Sequence, residues 1–498
     1  MGTSVTIAYL VVLGALAVLG LHRLHLVSLL IGRAEPPPPA PPERWPPVLV
    51  QLPLFNELNV AARLIDAVAQ LDYPAGRLEV QVLDDSTDAT RELVAERVAW
   101  HRRRGVAIEH VRRPDRSGYK AGALAFGLER SDAPLIAIFD ADFVPSPGFL
   151  RATVPYLGDP TVGLVQARWE HLNRDANLLT RLQAIALDAH FRVEQRARSL
   201  TGRFFNFNGT AGVFRREAIE TAGGWASDTI TEDLDLSLRA QLCGWRFLYV
   251  DGVVAPAELP AGLAALRAQQ RRWTRGAGQT ARKLLPAIWR TPDVPARARL
   301  EATFQLLLNA AYPLLLLLAL LAVPLTALGN GGGAPDRLQW LLSGLASGSV
   351  ALFYVAAQSH RGARGALEAI ALVPALFALG LGLSLSNGLA YLAGLGGSPT
   401  PFVRTPKSGQ GVAHRYAAAR ARAAAWAELA IGVYVGAGVA LALTLARPAA
   451  VPFLVLVATG FLAVGVASLR TRRRSDPRCP GQVPAPRGEL APLGGRKP

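Results

Sequence analysis

Two carboxylates separated by one small residue, Asp140 and Asp142, end the run Leu135–Val144, LIAIFDADFV. An apolar stretch of that length reads as a buried parallel strand, so the acids emerge at its carboxyl end. In open α/β sheets that edge is where ligands bind. Carboxylates so spaced can share a divalent cation, and Mg²⁺ or Mn²⁺ held by few protein oxygens suits a substrate diphosphate. A second apolar run, Leu78–Leu83, also ends in acids, Asp84 and Asp85. Further on, Thr229 and Glu232 have capping-box spacing before the helical pattern LDLSLRAQL, which sets Asp233 in a first helical turn. The positive end of a helix dipole favours an ionised carboxylate there, as a general base requires. Gln269, Arg272 and Trp273 fall on one face of a later helical pattern, where an amide, a guanidinium and an indole can grip phosphates and stack on a sugar.

The elements that must carry these groups alternate. Val48–Leu52 reads as a strand, Asn59–Leu71 as a helix with Asn59 as N-cap, Leu78–Leu83 as a strand and Ala89–Arg104 as a helix. Ile108–Val111, Leu135–Phe139 and Val162–Gln166 read as further strands. Strands alternating with helices imply βαβ units and a mainly parallel sheet. Neither GxGxxG nor GxxxxGK[ST] occurs, so a dinucleotide fingerprint and a P-loop are absent.

This α/β segment lies between apolar ones in a chain of 498 residues that is 51% hydrophobic. Val5–Leu21 lacks the basic start and the cleavage site of a signal peptide, so residues 1–32 are expected to be an uncleaved anchor with Arg23 snorkelling at its cytoplasmic end. Residues 33–47 are a Pro-rich spacer, 48–290 the catalytic unit, 291–470 transmembrane and interface helices, and 471–498 a disordered tail. Expected spans are Ala302–Leu328, Leu338–Ala357, Glu428–Ala446 and Ala450–Leu469. The stretch Ala366–Leu395 is read as re-entrant or interfacial, bent at Pro374, Gly380 and Gly382, which leaves five crossings and keeps the basic loops on the cytoplasmic side. The net charge of +16 is carried by arginines beside apolar spans, which argues against a nucleic-acid partner. Cys243 and Cys479 form no disulfide framework, and eight histidines show no zinc pattern. The Ala/Arg/Gly/Pro-rich usage suggests a bacterial cell membrane.

Eight ordered motifs, FNE (Phe55–Glu57), LDDSTD (Leu83–Asp88), YKAGAL (Tyr119–Leu124), FDADF (Phe139–Phe143), FNGTAGVFRR (Phe207–Arg216), GGW (Gly223–Trp225), TEDLDLS (Thr231–Ser237) and QQRRW (Gln269–Trp273), resemble family 2 glycosyltransferases. The resemblance is to the cellulose-synthase-like branch that makes glucomannan or β-glucan. It implies a GT-A, Rossmann-like domain inserted between transmembrane helices. By the same resemblance Asn56, Glu57, Asp84 and Asp85 meet the nucleoside of a nucleotide-sugar donor, and Lys120 the diphosphate. Asp140 and Asp142 hold the metal, with Asp140 also at the diphosphate. Asp233, with Glu232 beside it, is the catalytic base, and Gln269 and Arg272 hold diphosphate. Trp273, Asn208, Gly209 and Thr210 border the acceptor. Phe402, Thr405 and Lys407 match a gating loop, although Arg404 and Pro406 depart from its pattern. The implied reaction is inverting transfer from GDP-mannose or UDP-glucose onto a growing β-glycan that is threaded through the membrane. The alternative is addition of one sugar to a membrane lipid.

Overall fold

The computed structural model of the chain describes residues 2–329, 334–397 and 415–470, with backbone alone at 334 and 415–422. The expected gating-loop residues Phe402, Thr405 and Lys407 and the tail 471–498 lie outside the described residues.

The chain opens with helix α1 (Gly2–Ser28) and enters the sheet at β1 (Val48–Leu54). There follow α2 (Ala61–Val68), β2 (Leu78–Asp84), α3 (Thr90–Arg102), β3 (Ile108–Val111), α4 (Tyr119–Leu128), β4 (Leu135–Ile138), α5 (Phe149–Thr153) and β5 (Val162–His171). Next come α6 (Leu178–Ala189), a π-helical turn at His190–Gln195, α7 (Arg196–Leu200), β6 (Gly212–Arg215), α8 (Arg216–Thr221), α9 (Glu232–Leu242) and β7 (Arg246–Ala257). The seven strands lie in the order β3-β2-β1-β4-β6-β5-β7. β6 runs antiparallel to β4 and β5, and the other pairings are parallel. β1 to β3 wind to one side and β4 to the other, so the crevice opens beyond the carboxyl ends of β1 and β4. β1 can be central because every side chain but that of Pro53 is buried, and the one polar member, Gln51, donates to the Gln81 side chain and the Leu124 carbonyl.

Two strands lay outside the sequence expectation, β6 inside FNGTAGVFRR and the twelve-residue β7. Asn59 is not an N-cap. Helix α2 starts at Ala61, and the Glu57 carbonyl accepts the Val60 and Ala61 amides.

The apolar half comprises α10 (Leu263–Arg290), α11 (Ala296–Leu307), α12 (Ala311–Leu328), α13 (Ala334–Ala357), α14 (Gly362–Leu395), α15 (Arg415–Thr444) and α16 (Val451–Arg470). Six helical segments among the described residues are long and apolar enough to cross a membrane, and α14 is within one of them. Helix α14 continues through Pro374. The helix runs unbroken for 34 residues, about 51 Å at 1.5 Å per residue. Gly382 serves close packing, since a Cβ there would stand 2.3 Å from the Gly460 carbonyl of α16, whereas Gly380 faces open space. Both ends of α14 touch the sheet domain or the helix that follows it. Glu368 near its start binds Arg174 and Arg181, and Gly394 near its end packs on the backbone of α10 at Arg275.

Buried ion pairs join the apolar helices to the sheet domain. Arg23 does not simply snorkel: its guanidinium faces Glu194 at 3.9 Å and lies over the Phe353 ring. Glu301 of α11, 3% exposed, is reached by His22 of α1 at 3.1 Å and by Arg198 of α7 at 2.9 Å, with Arg198 itself 1% exposed. Arg267 of α10 pairs with the fully buried Glu428 of α15 and donates to Ser468 of α16. Removing one partner of such a pair leaves a charge buried without compensation, which typically costs about 3–5 kcal/mol. Glu301→Ala is therefore expected to lower the unfolding temperature of the detergent-solubilised protein by several degrees, read by thermal unfolding, whereas Glu79→Ala at the exposed strand edge is expected to leave it unchanged.

Candidate active site

Asp140 follows β4 directly, and its backbone N–H donates to Thr210 Oγ1 at 2.9 Å. Its Oδ1 accepts from Lys120 Nζ at 2.6 Å, and the same ammonium donates to the Gly209 carbonyl at 2.7 Å and lies 3.9 Å from Glu232. Burial pulls the Lys120 ammonium down, but the carboxylates of Asp140, Glu232 and Asp233 outweigh it and leave its pKa above the usual lysine value. Asp142, 9% exposed, lines the same cleft, and its carbonyl accepts from Arg63, which also pairs with Glu258 at 2.6 Å. Two hard carboxylates on one strand end suit Mg²⁺ or Mn²⁺ shared with a diphosphate. Among the described residues no group of three or more side chains could hold a metal alone.

Asp233 stands in the first turn of α9. Burial pushes its carboxyl up to about 7, Glu232 beside it adds to the rise, and Lys120 and Arg272 oppose it. The helix dipole thus does not decide the ionisation of this group, contrary to the sequence expectation. A carboxyl poised near neutrality can take a proton and release it again. The expected capping box is also absent. Thr231, the N-cap, makes no side-chain cap bond, and its Oγ1 lies 3.4 Å from Thr280 Oγ1 on α10. Helix α10 anchors this turn closely. Gln279 Oε1 accepts the Ile230 N–H at 3.0 Å, and a Cβ at Gly276 would stand 2.3 Å from Thr231.

The cleft is lined by Phe55, Glu57, Asp85 and Arg116 together with Asn208, Gln269, Arg272 and Trp273. Three expected site residues serve the framework instead. Asp84 is 1% exposed, and it accepts the Ser86 N–H at 2.9 Å and contacts His110 Nε2 at 2.9 Å. Asn56, absent from the lining, accepts the Thr87 N–H and so ties the two strand-end loops together. Thr210 is fully buried beneath Asp140 rather than open to an acceptor. The sequence reading missed Arg113, whose Nε donates to Asp85 at 2.9 Å, and Arg116, whose guanidinium lies 3.4 Å from the centre of the Phe55 ring. The signal was the basic loop RRPDRSGYK just before Lys120.

The cleft thus brings paired strand-end acids, a largely enclosed ammonium and an elevated carboxyl together on a GT-A-like sheet. Residues 46–276 match the family model described as glycosyltransferase like family 2, and this part of the chain is a domain of that family. The chain is 46% identical over 255 residues to glucomannan 4-beta-mannosyltransferase 7 of Arabidopsis thaliana, covering 50% of this chain and 46% of that protein. Over 267 residues it is 46% identical to glucomannan 4-beta-mannosyltransferase 1 of Cyamopsis tetragonoloba, covering 53% of this chain and 51% of that protein. The chain thus spans about half the length of the curated relatives it matches. The expectation of a bacterial membrane draws no support from these relatives. Among solved structures, the mannosyltransferase PcManGT from Pyrobaculum calidifontis, in complex with GDP-Man and Mn2+, superposes with a TM-score of 0.55 at 22% identity. That match covers 79% of this chain and 99% of that one, and it shows the shared fold.

Gly209 adopts φ +84°, and a Cβ there would stand 2.8 Å from Asp233 Oδ2. Strain of that kind costs on the order of 1–3 kcal/mol. Gly209→Ala is expected to reduce glycosyl transfer by roughly tenfold or more, since 1.4 kcal/mol is a factor of ten. Steady-state rates beside the unfolding temperature check it, and an unchanged rate would show that Asp233 tolerates displacement.

Proposed function

We propose that the protein is an inverting β-mannosyltransferase that moves mannose from GDP-mannose to the end of a β-linked polysaccharide. The observation that carries the reading is the Asp233 carboxyl, raised to about 7, standing beside Lys120 and Asp140 in one cleft. The choice of donor is supported by the mannosyltransferase names of the relatives and by the GDP-Man in PcManGT. In this reading Asp233 takes the proton of an acceptor hydroxyl as that oxygen attacks the anomeric carbon from the side opposite the nucleotide. Inversion converts an α-linked donor into a β-linked product. Lys120 lies where negative charge on the departing diphosphate would develop, and its three carboxylate neighbours keep it protonated for that role. Asp140 and Asp142 would hold a divalent cation, which when bound supplies charge neutralisation to the leaving group. The Mn2+ of PcManGT supports this part of the reading.

Arg272 and Trp273 line the cleft from α10, the helix packed against α14 and α16. An indole there offers a stacking face to each sugar that leaves the catalytic turn, which favours repeated addition over a single transfer to a lipid. The catalytic domain then faces the cytoplasm, where nucleotide sugars are made, and the product is extruded past the apolar helices.

Purified protein given GDP-mannose or UDP-glucose with Mn²⁺ tests the reading. Size-resolved β-mannan from GDP-mannose is expected, and a product carrying one sugar on lipid would overturn polymerisation. Asp142→Asn is expected to abolish transfer at limiting Mn²⁺ with the unfolding temperature retained; activity within twofold of the parent would remove Asp142 from the metal site. Because the base must be ionised, turnover at saturating donor should rise with pH through about 7. Asp233→Asn should remove that rise and about 10²–10⁴-fold of the rate while GDP affinity persists. A collapse of GDP affinity along with turnover would instead assign Asp233 to the donor site.

A further inference from the structure

Glu170 lines the cleft, yet donor binding, metal binding and proton transfer leave it without a role. It stands at the carboxyl end of β5. Strands β4 and β5 both run antiparallel to β6 and hence parallel to each other, so Glu170 and the paired acids Asp140 and Asp142 open onto one crevice edge. β5 lies two strand spacings from β4, roughly 10 Å, on the side away from β1 and β2. Phe55 and Asp85, which directly follow β1 and β2, enter the cleft from that other side.

The carboxylate is held from behind. Arg168 Nη1 donates to Glu170 Oε2 at 2.8 Å. Arg168, 9% exposed, is itself fixed, since its Nε donates to the Asp251 carbonyl at 3.1 Å and lies 3.2 Å from Asp251 Oδ1. The sheet is distorted to bring Asp251 there: Ala167 faces Val250 but Arg168 faces Val254, so residues 251–253 of β7 bulge out of the pairing. Bulges of this kind re-aim side chains beside active sites. The Tyr249 hydroxyl donates to Asp251 Oδ1 at 2.9 Å, and Arg192 donates to Oδ2 at 3.2 Å. Glu170 is thus anchored through one oxygen only. Its Oε1 has no hydrogen-bond partner among the described residues and is open to solvent, in a side chain 46% exposed. A half-exposed ion pair adds little stability, so the contact with Arg168 does not by itself account for this arrangement.

We propose that Glu170 is an acceptor-binding residue, whose Oε1 accepts a hydrogen bond from a non-reacting hydroxyl of the terminal sugar of the growing glycan. A carboxylate only accepts hydrogen bonds, and sugar hydroxyls donate them. In an inverting transfer the acceptor approaches from the side opposite the nucleotide, which is the side of β4 on which Glu170 stands. Trp273 lines the same cleft and offers an apolar face to the ring, while Glu170 offers a polar partner to its hydroxyls. The inference rests on the reading of the cleft as a mannosyl-transfer site and adds to it a determinant that acts on the acceptor and not on the donor.

The test uses the full-length protein in detergent with GDP-mannose, Mn²⁺ and β-1,4-mannotriose, beside mannotriose analogues that each lack one hydroxyl of the terminal non-reducing sugar. Donor hydrolysis to water is counted in parallel. One analogue is expected to show a KM about tenfold above that of mannotriose, the loss typical of a hydrogen bond to a charged group. Glu170→Ala is expected to raise the KM for mannotriose by about the same factor and to abolish the discrimination against that analogue. Donor KM, donor hydrolysis and unfolding temperature should stay at the parent's values. An unchanged acceptor KM, a discrimination that survives the substitution, or a fall in hydrolysis equal to the fall in transfer would overturn the proposal. If the alanine variant does not fold, Glu170→Gln, which keeps an oxygen for Arg168, is read by the same criteria. A parent that hydrolyses donor but extends no mannotriose refutes the mannan reading instead, and the same comparison on the acceptor it does extend then decides Glu170.

Discussion

One largely enclosed ammonium organises the cleft. Lys120 projects from the first turn of α4 and ties together the end of β4, the loop before β6 and the start of α9, through Asp140, the Gly209 carbonyl and Glu232. Lys120 and Glu232 are largely enclosed and Asp140 is about one third exposed, so losing a partner would leave a partly desolvated charge uncompensated. The cluster therefore requires the loops to be in register before it can close. That requirement explains the glycine at 209, which brings its carbonyl to Lys120 and its Cα against Asp233 with no room for a side chain. It also explains why Thr210, a small hydroxyl, is buried below Asp140 to receive its backbone N–H.

The same cluster sets the chemistry of Asp233. A carboxyl at a helix N-terminus next to a lysine and an arginine would ordinarily be ionised well below neutrality. Burial and the adjacent Glu232 reverse the balance and bring it to about 7. The two opposing influences leave a carboxyl that titrates near neutral pH, the property the proposed base requires.

Around the cleft, helix α10 connects the turn that carries Asp233 to the apolar helices. Its one face supports the TED turn through Gln279, Thr280 and Gly276, and its buried Arg267 reaches Glu428 and Ser468 in the last two helices. A second tie runs from α1 through His22, Glu301 and Arg198 to the π-helical turn. Buried pairs of this kind add little net stability over apolar packing but admit one arrangement of their partners. Here they specify how the apolar helices sit on the glycosyltransferase domain.

Much of this was legible in the residue pattern. Continuous apolar runs that end in acids can be little other than central parallel strands with a ligand edge, because both faces of such a strand must be covered; β1, β2 and β4 lie there accordingly. Local spacing also put Gln269, Arg272 and Trp273 on one helix face, and all three line the cleft. What periodicity does not encode is which polar group faces which. Asp84 and Asp85 are neighbours of identical type, yet one is sealed against His110 and Ser86 while the other opens to the cleft, because successive strand residues point to opposite faces. The packing of α14 was likewise undecided by composition, since proline and glycine permit a bend without requiring one, and contact with Gly460 made Gly382 a packing surface. The sequence alone determined the fold class, the strand-end acids and the apolar helices. Only the tertiary structure decided which acids are buried, what the ionisation of Asp233 is, and that Arg168, which holds Glu170, is itself held by Asp251, because each depends on groups distant in the chain that come within hydrogen-bond reach only when the sheet and helices have packed.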